Sequence, residues 1–568
     1  MEDLDAGPVK LLQVFKGEKD YKSPIFQRQY VWGKKEIARL WEDIDAITDG
    51  TEKTKFLGAL VLEVKSSGKS FQPDEYWIVD GQQRLTTLYM IILRLALEAE
   101  RANNSELAES LYKQYLFKQD GKYLNEPKLF PTIQDNTQFR NLFNDLQNRT
   151  PKLGIPYGEI FGNISNANKL IGREIRNRCF NDATFDNEKA TTLSETILEK
   201  LKFVQIILGS DQEPQQVYDS LNNAGVRLLT KDIIRNKVFQ GVSKDPEKAV
   251  ALYNNYWLPL ESELSERFDD YFFPFGLVHK PSITKSNLCS QLNDRWKGWE
   301  PDKIVQDLRI FVPCYNALTS NDSKTREILT ESKEINKMIS RFYRMKIPST
   351  IYPFLFKLVE AYKSGDLDEN STIHNMALVE SFLVRRAFAG FEPTGLHAVF
   401  KELWTITKGS PEEFLSSINK NPTVQFPDDK KFEENIRFSN LYSRRLAPYI
   451  IEEYERSFKG GDPHPEDIKI TIDHLMPKEL TDEWKAIVDS KEHEKYKDTW
   501  GNLVPLSGPA NSQKGQKSWS TVRDFLMKET IFKTTKHLAQ ENEVWNIENI
   551  KKRSEILALW ALERWKKA

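Results

Sequence analysis

The chain is short of cysteine and histidine, has no long apolar run and carries almost no net charge. Each shortage narrows what it can be. Its three cysteines, Cys179, Cys289 and Cys314, are odd in number, far apart and without metal-type spacing. They form neither a disulfide framework nor a zinc cluster, and they suit a reducing compartment. No apolar run approaches membrane-spanning length, and the opening Met1-Glu2-Asp3-Leu4-Asp5 is acidic and unlike a signal peptide. We therefore expect a soluble cytoplasmic protein with no membrane partner. Lys and Arg number 81 against 83 Asp and Glu, a formal charge of −2. No overall field steers a polyanion, so nucleic-acid binding must come from a local patch. Of seven histidines, His279, His374 and His397 stand alone without ligand spacing and read as structural.

What is present is a globular composition, 39% hydrophobic and 29% charged, in 568 residues, too many for one core. Two clusters of helix and strand breakers divide it. Gly241 and Pro246 form one, and Lys459-Gly460-Gly461-Asp462-Pro463-His464-Pro465 the other. The expected domains are 1–240, 241–460 and 461–568. The middle one is helical in pattern, a linker or scaffold. Its Val379 to Arg386 stretch predicts a helix whose Arg385 and Arg386 either face DNA or pair with nearby acids.

In the first domain, Glu36 to Ile47 predicts a helix buried through Ile37, Leu40, Trp41, Ile44 and Ile47. Phe56 to Leu62 is a strand-length apolar run, and Tyr76 to Asp80 its neighbour. At Asp80-Gly81 the strand pattern breaks, and Leu85, Leu88, Ile92 and Leu95 restart with helical spacing. A strand, a glycine turn and a helix start leave free N–H groups around one spot, which favours an anion. Arg84 adds a cation, and Gln82 and Gln83 add neutral donors. The bland alternative is an ordinary strand-to-helix turn with a surface arginine.

In the last domain, Ile468 to Ile472 alternates strictly and ends at Asp473-His474, and Trp500 to Leu506 is a second short strand. A helix follows through Asn511. Strand, strand, helix, with Asp-His on the first and Asn on the last, is the arrangement of a ββα-metal nuclease. Imidazole titrates near neutral pH, so His474 can deprotonate water. Asp473 and Asn511 supply hard oxygens for Mg2+ (or Mn2+), and Asn502 orients the imidazole or the loop by hydrogen bonds. His464 and His493 sit in loop-like or charged sequence and read as bland. Residues 507–536 carry six basic side chains, among them Lys514 and Lys517, against Asp524 and Glu529, which reads as a patch for a phosphate backbone.

Gln27-Arg28-Gln29-Tyr30-Val31-Trp32, then Phe56 to Leu62, then Val79 to Leu88, then Gln216 to Leu228, resemble in order and spacing the N-terminal domain of GmrSD-type modification-dependent restriction proteins. They are also similar to the related phosphorothioate-sensing SspE, and both families look like distant relatives of the ParB/sulfiredoxin fold. The C-terminal segment resembles the HNH domain of the same GmrSD-type proteins. It departs from the name-giving pattern in ending on Asn511 where many have His, which leaves that ligand's identity open. The resemblance implies an α+β, mostly helical chain: a ParB/sulfiredoxin-like nucleotide-binding domain, a helical middle and a ββα-metal HNH nuclease domain. It implies hydrolysis of a nucleoside triphosphate (ATP, GTP or CTP). Asp80 would hold the metal–phosphate or the attacking water. Gln82, Gln83 and Arg84 would contact phosphates next to Gly81 and Thr86. Gln27 and Arg28 would close the site, and Asn222 and Gly225 would complete it at a turn N-terminal to a helix capped by Thr230.

The leading function expected is NTP-regulated, metal-dependent cleavage of double-stranded phage DNA carrying hydroxymethylated or glucosylated cytosine. Cutting both strands in one event would need two sites and hence a homodimer. Two alternatives stay open: a phosphorothioate-sensing NTPase with a nicking nuclease, and a non-cutting NTP-gated DNA binder.

Overall fold

The structure, a computed structural model, describes residues 5–24, 27–66, 74–120, 123–146, 148–150, 153, 160–208, 229–242, 245–391, 395–420, 424–458 and 470–567. It divides into two compact units, Met1–Trp257 with Glu300–Asp302, and Leu258–Trp299 with Lys303–Ala568. The chain is mostly helical with a small mixed sheet, an α+β protein.

The first unit is built on six strands: β1 (Asp5–Lys10), β2 (Lys19–Lys22), β3 (Lys55–Ser66), β4 (Asp74–Asp80), β5 (Leu129–Phe130) and β6 (Leu201–Leu208). Their order is β1-β6-β3-β4-β2-β5. β3 pairs antiparallel with β4, as expected of neighbours, with Leu62 opposite Ile78. Helix α1 (Lys34–Thr48) buries Ile37, Leu40, Trp41, Ile44 and Ile47, the stripe read from its spacing.

Helix α2 (Gln82–Arg101) follows β4 through Gly81, whose φ of +96° is the left-handed region. A Cβ there would also stand 3.0 Å from Leu60 Cδ1 and 3.2 Å from the Ala59 carbonyl oxygen. Both conformation and space select glycine. Gly81→Ala should cost about 1–2 kcal/mol, measurable as a lowered denaturant midpoint. The expected stripe of α2, Leu85, Leu88, Ile92 and Leu95, is buried, but so are Tyr89, Met90, Ile91 and Leu93 on the other faces. Such a helix is the centre of a core, not an amphipathic cover. Helix α3 (Thr230–Gln240) starts differently from expectation: Thr230 is its first helical residue, and Leu229 occupies the cap position without a side-chain bond.

In the second unit the helical middle and the C-terminal segment share one compact body. Helix α4 (Glu369–Phe388) donates from Ser381 Oγ (2.9 Å) and Arg385 Nε (2.8 Å) to the carbonyl of Trp565, just past the end of the long C-terminal helix α8 (Ile547–Arg564). Arg385 is fully buried and also reaches the Pro427 carbonyl and Asp429. Of the two readings of Arg385, pairing holds and facing DNA does not. Strands β7 (Ile470–His474) and β8 (Leu503–Ser507) pair antiparallel with His474 opposite Leu503. The short helix α6 (Gly508–Lys514) and helix α7 (Trp519–Glu529) follow, while helix α5 (Ala447–Ser457) precedes the pair. The breaker-rich stretch at 459–465 lies outside the described residues.

Candidate active site

β7 delivers Asp473 and His474 to its buried end, where they are 8% and 5% exposed. The Ser507 hydroxyl caps α6, accepting from the Ala510 amide, and Pro509 fits the first turn. Asn511 and Lys514, three residues apart on α6, share one face over β7. The Asn511 amide nitrogen lies 3.4 Å from the Thr471 hydroxyl, and its oxygen makes no hydrogen bond among the described residues.

Lys514 is 3% exposed, and its ammonium donates to the His474 carbonyl (2.7 Å) while lying 2.8 Å from Asp473 Oδ2. This differs from the expected surface phosphate contact: the lysine is internal because a buried carboxylate needs a counter-charge. Asp473 Oδ2 is buried against the Lys514 ammonium, which neutralises it as an ion pair. A carboxylate from Asp473 and an amide oxygen from Asn511 are donor types that fit a hard cation. Among the described residues no three His, Cys, Asp or Glu converge on one metal position, so protein ligands would be few. Lys517 is exposed, as expected of a patch residue, with its ammonium 3.1 Å from the Gln513 carbonyl.

The imidazole of His474 is held by a residue the sequence reading missed. Its Nε2 lies 2.9 Å from Asp498 Oδ1. A carboxylate accepts, so Nε2 carries the hydrogen and Nδ1 keeps the lone pair. Nδ1 makes no hydrogen bond among the described residues. Asp498 is itself fixed: Asn440 Nδ2 donates to its other oxygen (3.0 Å), and the Leu441 and Tyr442 amides donate to its carbonyl (3.0 and 3.3 Å). The Tyr442 ring lies 4.5 Å from the His474 ring, with the Lys478 ammonium over the tyrosine. Burial pushes the His474 pKa below its ordinary value. Asp498 partly opposes the shift, and the neighbouring Lys478 adds to it. The imidazole is therefore neutral, a base, at neutral pH.

Asn502, fully buried, serves the loop and not the imidazole. Its oxygen accepts from the Met476 amide (2.8 Å) and Trp545 Nε1 (3.3 Å), and its nitrogen donates to the carbonyls of Met476 and Lys497. Next to it, a Cβ on Gly501 would stand 2.6 Å from the Ile550 carbonyl oxygen, so α8 can approach only a glycine. Arg553 of α8 donates to the carbonyls of Gly501 (2.8 Å) and Leu503 (2.9 Å) and clamps the turn. His493 is 4% exposed, with Nε2 2.8 Å from the Pro477 carbonyl, a structural contact as expected. His464 lies outside the described residues.

In the first unit the predicted residues at 27–31 and 80–87 do come together, as a clamp. Gln27 Nε2 donates to the Val79 carbonyl (2.9 Å), Gln82 Nε2 to that of Arg28 (3.0 Å), and Gln83 Nε2 to that of Gln29 (3.1 Å). Gln83 Oε1 accepts from the Val31 amide (2.8 Å). Arg84 bonds the Leu57 carbonyl and lies 3.3 Å from Asp80. Thr86 is 4% exposed. The glutamine amide nitrogens are thus committed to backbone, while Gln82 Oε1 is buried with no hydrogen-bond partner among the described residues. The Arg28 guanidinium, half-buried, makes no hydrogen bond or ion pair among the described residues. Asn222 and Gly225 lie outside the described residues.

Residues 11–239 match the family described as GmrSD restriction endonuclease, N-terminal domain, and residues 426–560 the one described as GmrSD restriction endonucleases, C-terminal domain. The second match includes Asn440, Tyr442, Asp473, His474, Asp498, Asn502 and Asn511, the residues just described. A search of curated proteins gives no match. With both ends of the chain matched in order, this protein belongs to the GmrSD restriction endonucleases.

Proposed function

We propose that the C-terminal segment is an HNH-type ββα-metal centre that hydrolyses DNA phosphodiesters, and that a ParB/sulfiredoxin-like nucleotide-binding domain at the N-terminus gates it. One observation carries the nuclease reading: a buried imidazole with Nε2 fixed on Asp498 and Nδ1 unbonded among the described residues, next in sequence to the buried carboxylate of Asp473. In the reaction Nδ1 takes a proton from water as the water oxygen attacks phosphorus. The bond from phosphorus to the leaving sugar oxygen breaks, and that oxygen is protonated from solvent. Asp498 stabilises the imidazolium that forms, as the carboxylate does in an Asp-His pair. The Asp473 carboxylate and Asn511 Oδ1 are the groups that would hold Mg2+ or Mn2+. When bound, the cation neutralises charge on the phosphate.

In the gating domain, the Gly81 turn and the first amides of the long helix α2 favour a nucleotide phosphate, and Arg28 is a nearby cation with no hydrogen bond or ion pair from its side chain among the described residues. Asp80, Thr86 and the segment of Asn222 complete the proposed site, Gln82 and Gln83 brace it through the 28–31 backbone, and Arg84 would exchange the Leu57 carbonyl for phosphate. A homodimer would bring one centre to each DNA strand. The phosphorothioate reading is less supported, because Tyr30 of the aromatic segment is 3% exposed, with its hydroxyl 2.7 Å from Thr87 Oγ1.

The test is cleavage of plain, hydroxymethylated and glucosylated duplexes, with and without each NTP. Cutting should require a modified cytosine, stop with EDTA and return with Mg2+ or Mn2+. Equal cutting of plain and modified DNA overturns the target, cutting in EDTA overturns the metal, and indifference to every NTP overturns the gate.

A further inference from the structure

The short segment that holds Asp498 also lines a separate cavity in the same unit. Asn440 and Tyr442 face the catalytic pair, whereas Ser443, Arg444 and Arg445 border a cavity of about 270 Å3 together with Arg386 of α4 and apolar walls that include Phe391. The segment is braced. Asn440 Oδ1 accepts from the Ser443 amide (3.0 Å), and the Arg444 amide donates to the Leu441 carbonyl (2.9 Å).

Three guanidinium groups around one cavity repel each other unless an anion joins them. Elsewhere in this unit inward arginines meet carboxylates or carbonyls, as Arg385 meets Asp429 and Arg553 the carbonyls of Gly501 and Leu503. Among the described residues Arg444 and Arg445 have no carboxylate within ion-pair distance, and Arg444 Nε is buried with no hydrogen-bond partner. Arg386 is 4% exposed, bonded through Nη1 to the Gln425 carbonyl (3.2 Å), and its guanidinium lies 5.1 Å from the Phe391 ring. Arg445 is exposed. The set therefore runs from a buried cation to a solvent-facing one, and guanidinium forks match phosphate oxygens in pairs. A further cation, Lys478, lies over the ring of Tyr442, two residues before Arg444, and that ring packs on His474.

We propose that the cavity lined by Arg386, Arg444 and Arg445 binds a backbone phosphate of the DNA strand whose nearby phosphodiester is presented to His474. This rests on the nuclease reading of His474. The arginines touch phosphate, not a base, so they fix the strand's register without reading its sequence.

Binding of a fluorescent duplex to the full-length His474→Ala chain, measured by anisotropy over a salt series, tests it. Arg444→Ala and Arg445→Ala should each weaken binding about tenfold and flatten the slope of log K against log salt by about one. In the catalytically intact chain the same changes should raise KM and spare kcat. Arg445 is exposed, so its variant keeps the fold, and circular dichroism checks both. Unchanged affinity and slope in both variants, with the wild type still cutting, overturn the phosphate site and leave the nuclease standing. A wild type that neither binds nor cuts DNA overturns both. Loss of ATP or inorganic phosphate binding with DNA binding intact overturns the assignment to DNA.

Discussion

His474→Ala should lower kcat for DNA cleavage by about 100- to 10,000-fold and leave DNA affinity within about twofold, because it removes the proposed base and not a phosphate contact. Asp498→Asn should cost about 100-fold for a different reason: the ring loses the acceptor that fixes its tautomer and stabilises its cation. The two variants differ in pH behaviour. Rate depends on the neutral imidazole, so activity should rise with pH through the His474 pKa and level off. Burial places that midpoint below the ordinary 6.5. Asp498 is an influence that raises the pKa, so removing its charge lowers it further. The acid limb of Asp498→Asn should therefore move to lower pH while the plateau falls. A pH–rate profile of single-turnover cleavage reads both. A limb that moves upward, or full activity in His474→Ala, would refute the assignment of the base.

Such a plateau is informative because Asp498 and Asn502 have separable jobs. Asn502 spends its amide on the Met476 and Lys497 backbone, so its loss loosens the loop without changing the charge at His474. The two expected roles of Asn502, ring or loop, resolve to the loop because its amide oxygen and nitrogen are both already bonded.

Local periodicity made much of the scaffold legible. The stripe of α1, the glycine turn into α2 and the alternation of β7 are short-range patterns set by 3.6- and 2-residue repeats. The residues that finish the site are long-range. Asp498 sits among lysines and glutamates in Lys491 to Asp498, where an acid reads as solvent-facing, and its one local signal is its place four residues before Asn502. Asn440 and Tyr442 come before the breaker-rich loop and so fell in a different expected domain. Lys514 read as surface because lysine is mostly exposed, and only the burial of Asp473 explains its inward course. In the same way Gln82 and Gln83 read as phosphate donors, yet tertiary placement puts the 28–31 backbone against their amides.

Glu380→Ala should be the most damaging substitution for stability, costing about 3–5 kcal/mol, because it strands buried donors and a cation together. Glu380 is fully buried, and its Oε1 accepts from Tyr449 (2.6 Å), Arg564 (2.6 Å) and Trp565 Nε1 (2.9 Å). Arg564 then shares Glu453 (2.9 Å) with Arg344 (2.5 Å), and Arg341 lies 3.6 Å from Glu380 and 3.7 Å from Glu453, so two carboxylates and three guanidiniums tie α4, α5 and α8. Glu380→Gln keeps the volume and an acceptor and should lose about 1–3 kcal/mol. The network also gives an acid limb to stability. Burial alone would raise the Glu453 pKa, but Arg344 and Arg564 outweigh it and hold it below the ordinary 4.5. A depressed carboxylate stabilises above its unfolded pKa, and that stability is lost as pH falls through the folded one. Denaturant midpoints of the wild type should therefore fall below about pH 4.5, and Glu453→Gln should flatten that fall. The damage in Glu380→Ala should reach the chemistry as well. α8 carries Arg553, which clamps Gly501 and Leu503 on either side of Asn502. A loosened α8 releases the loop that follows His474, so cleavage should fail at temperatures where the first unit still gives its own unfolding transition. A Glu380→Ala chain with a wild-type midpoint would show that the cluster is satisfied by water instead.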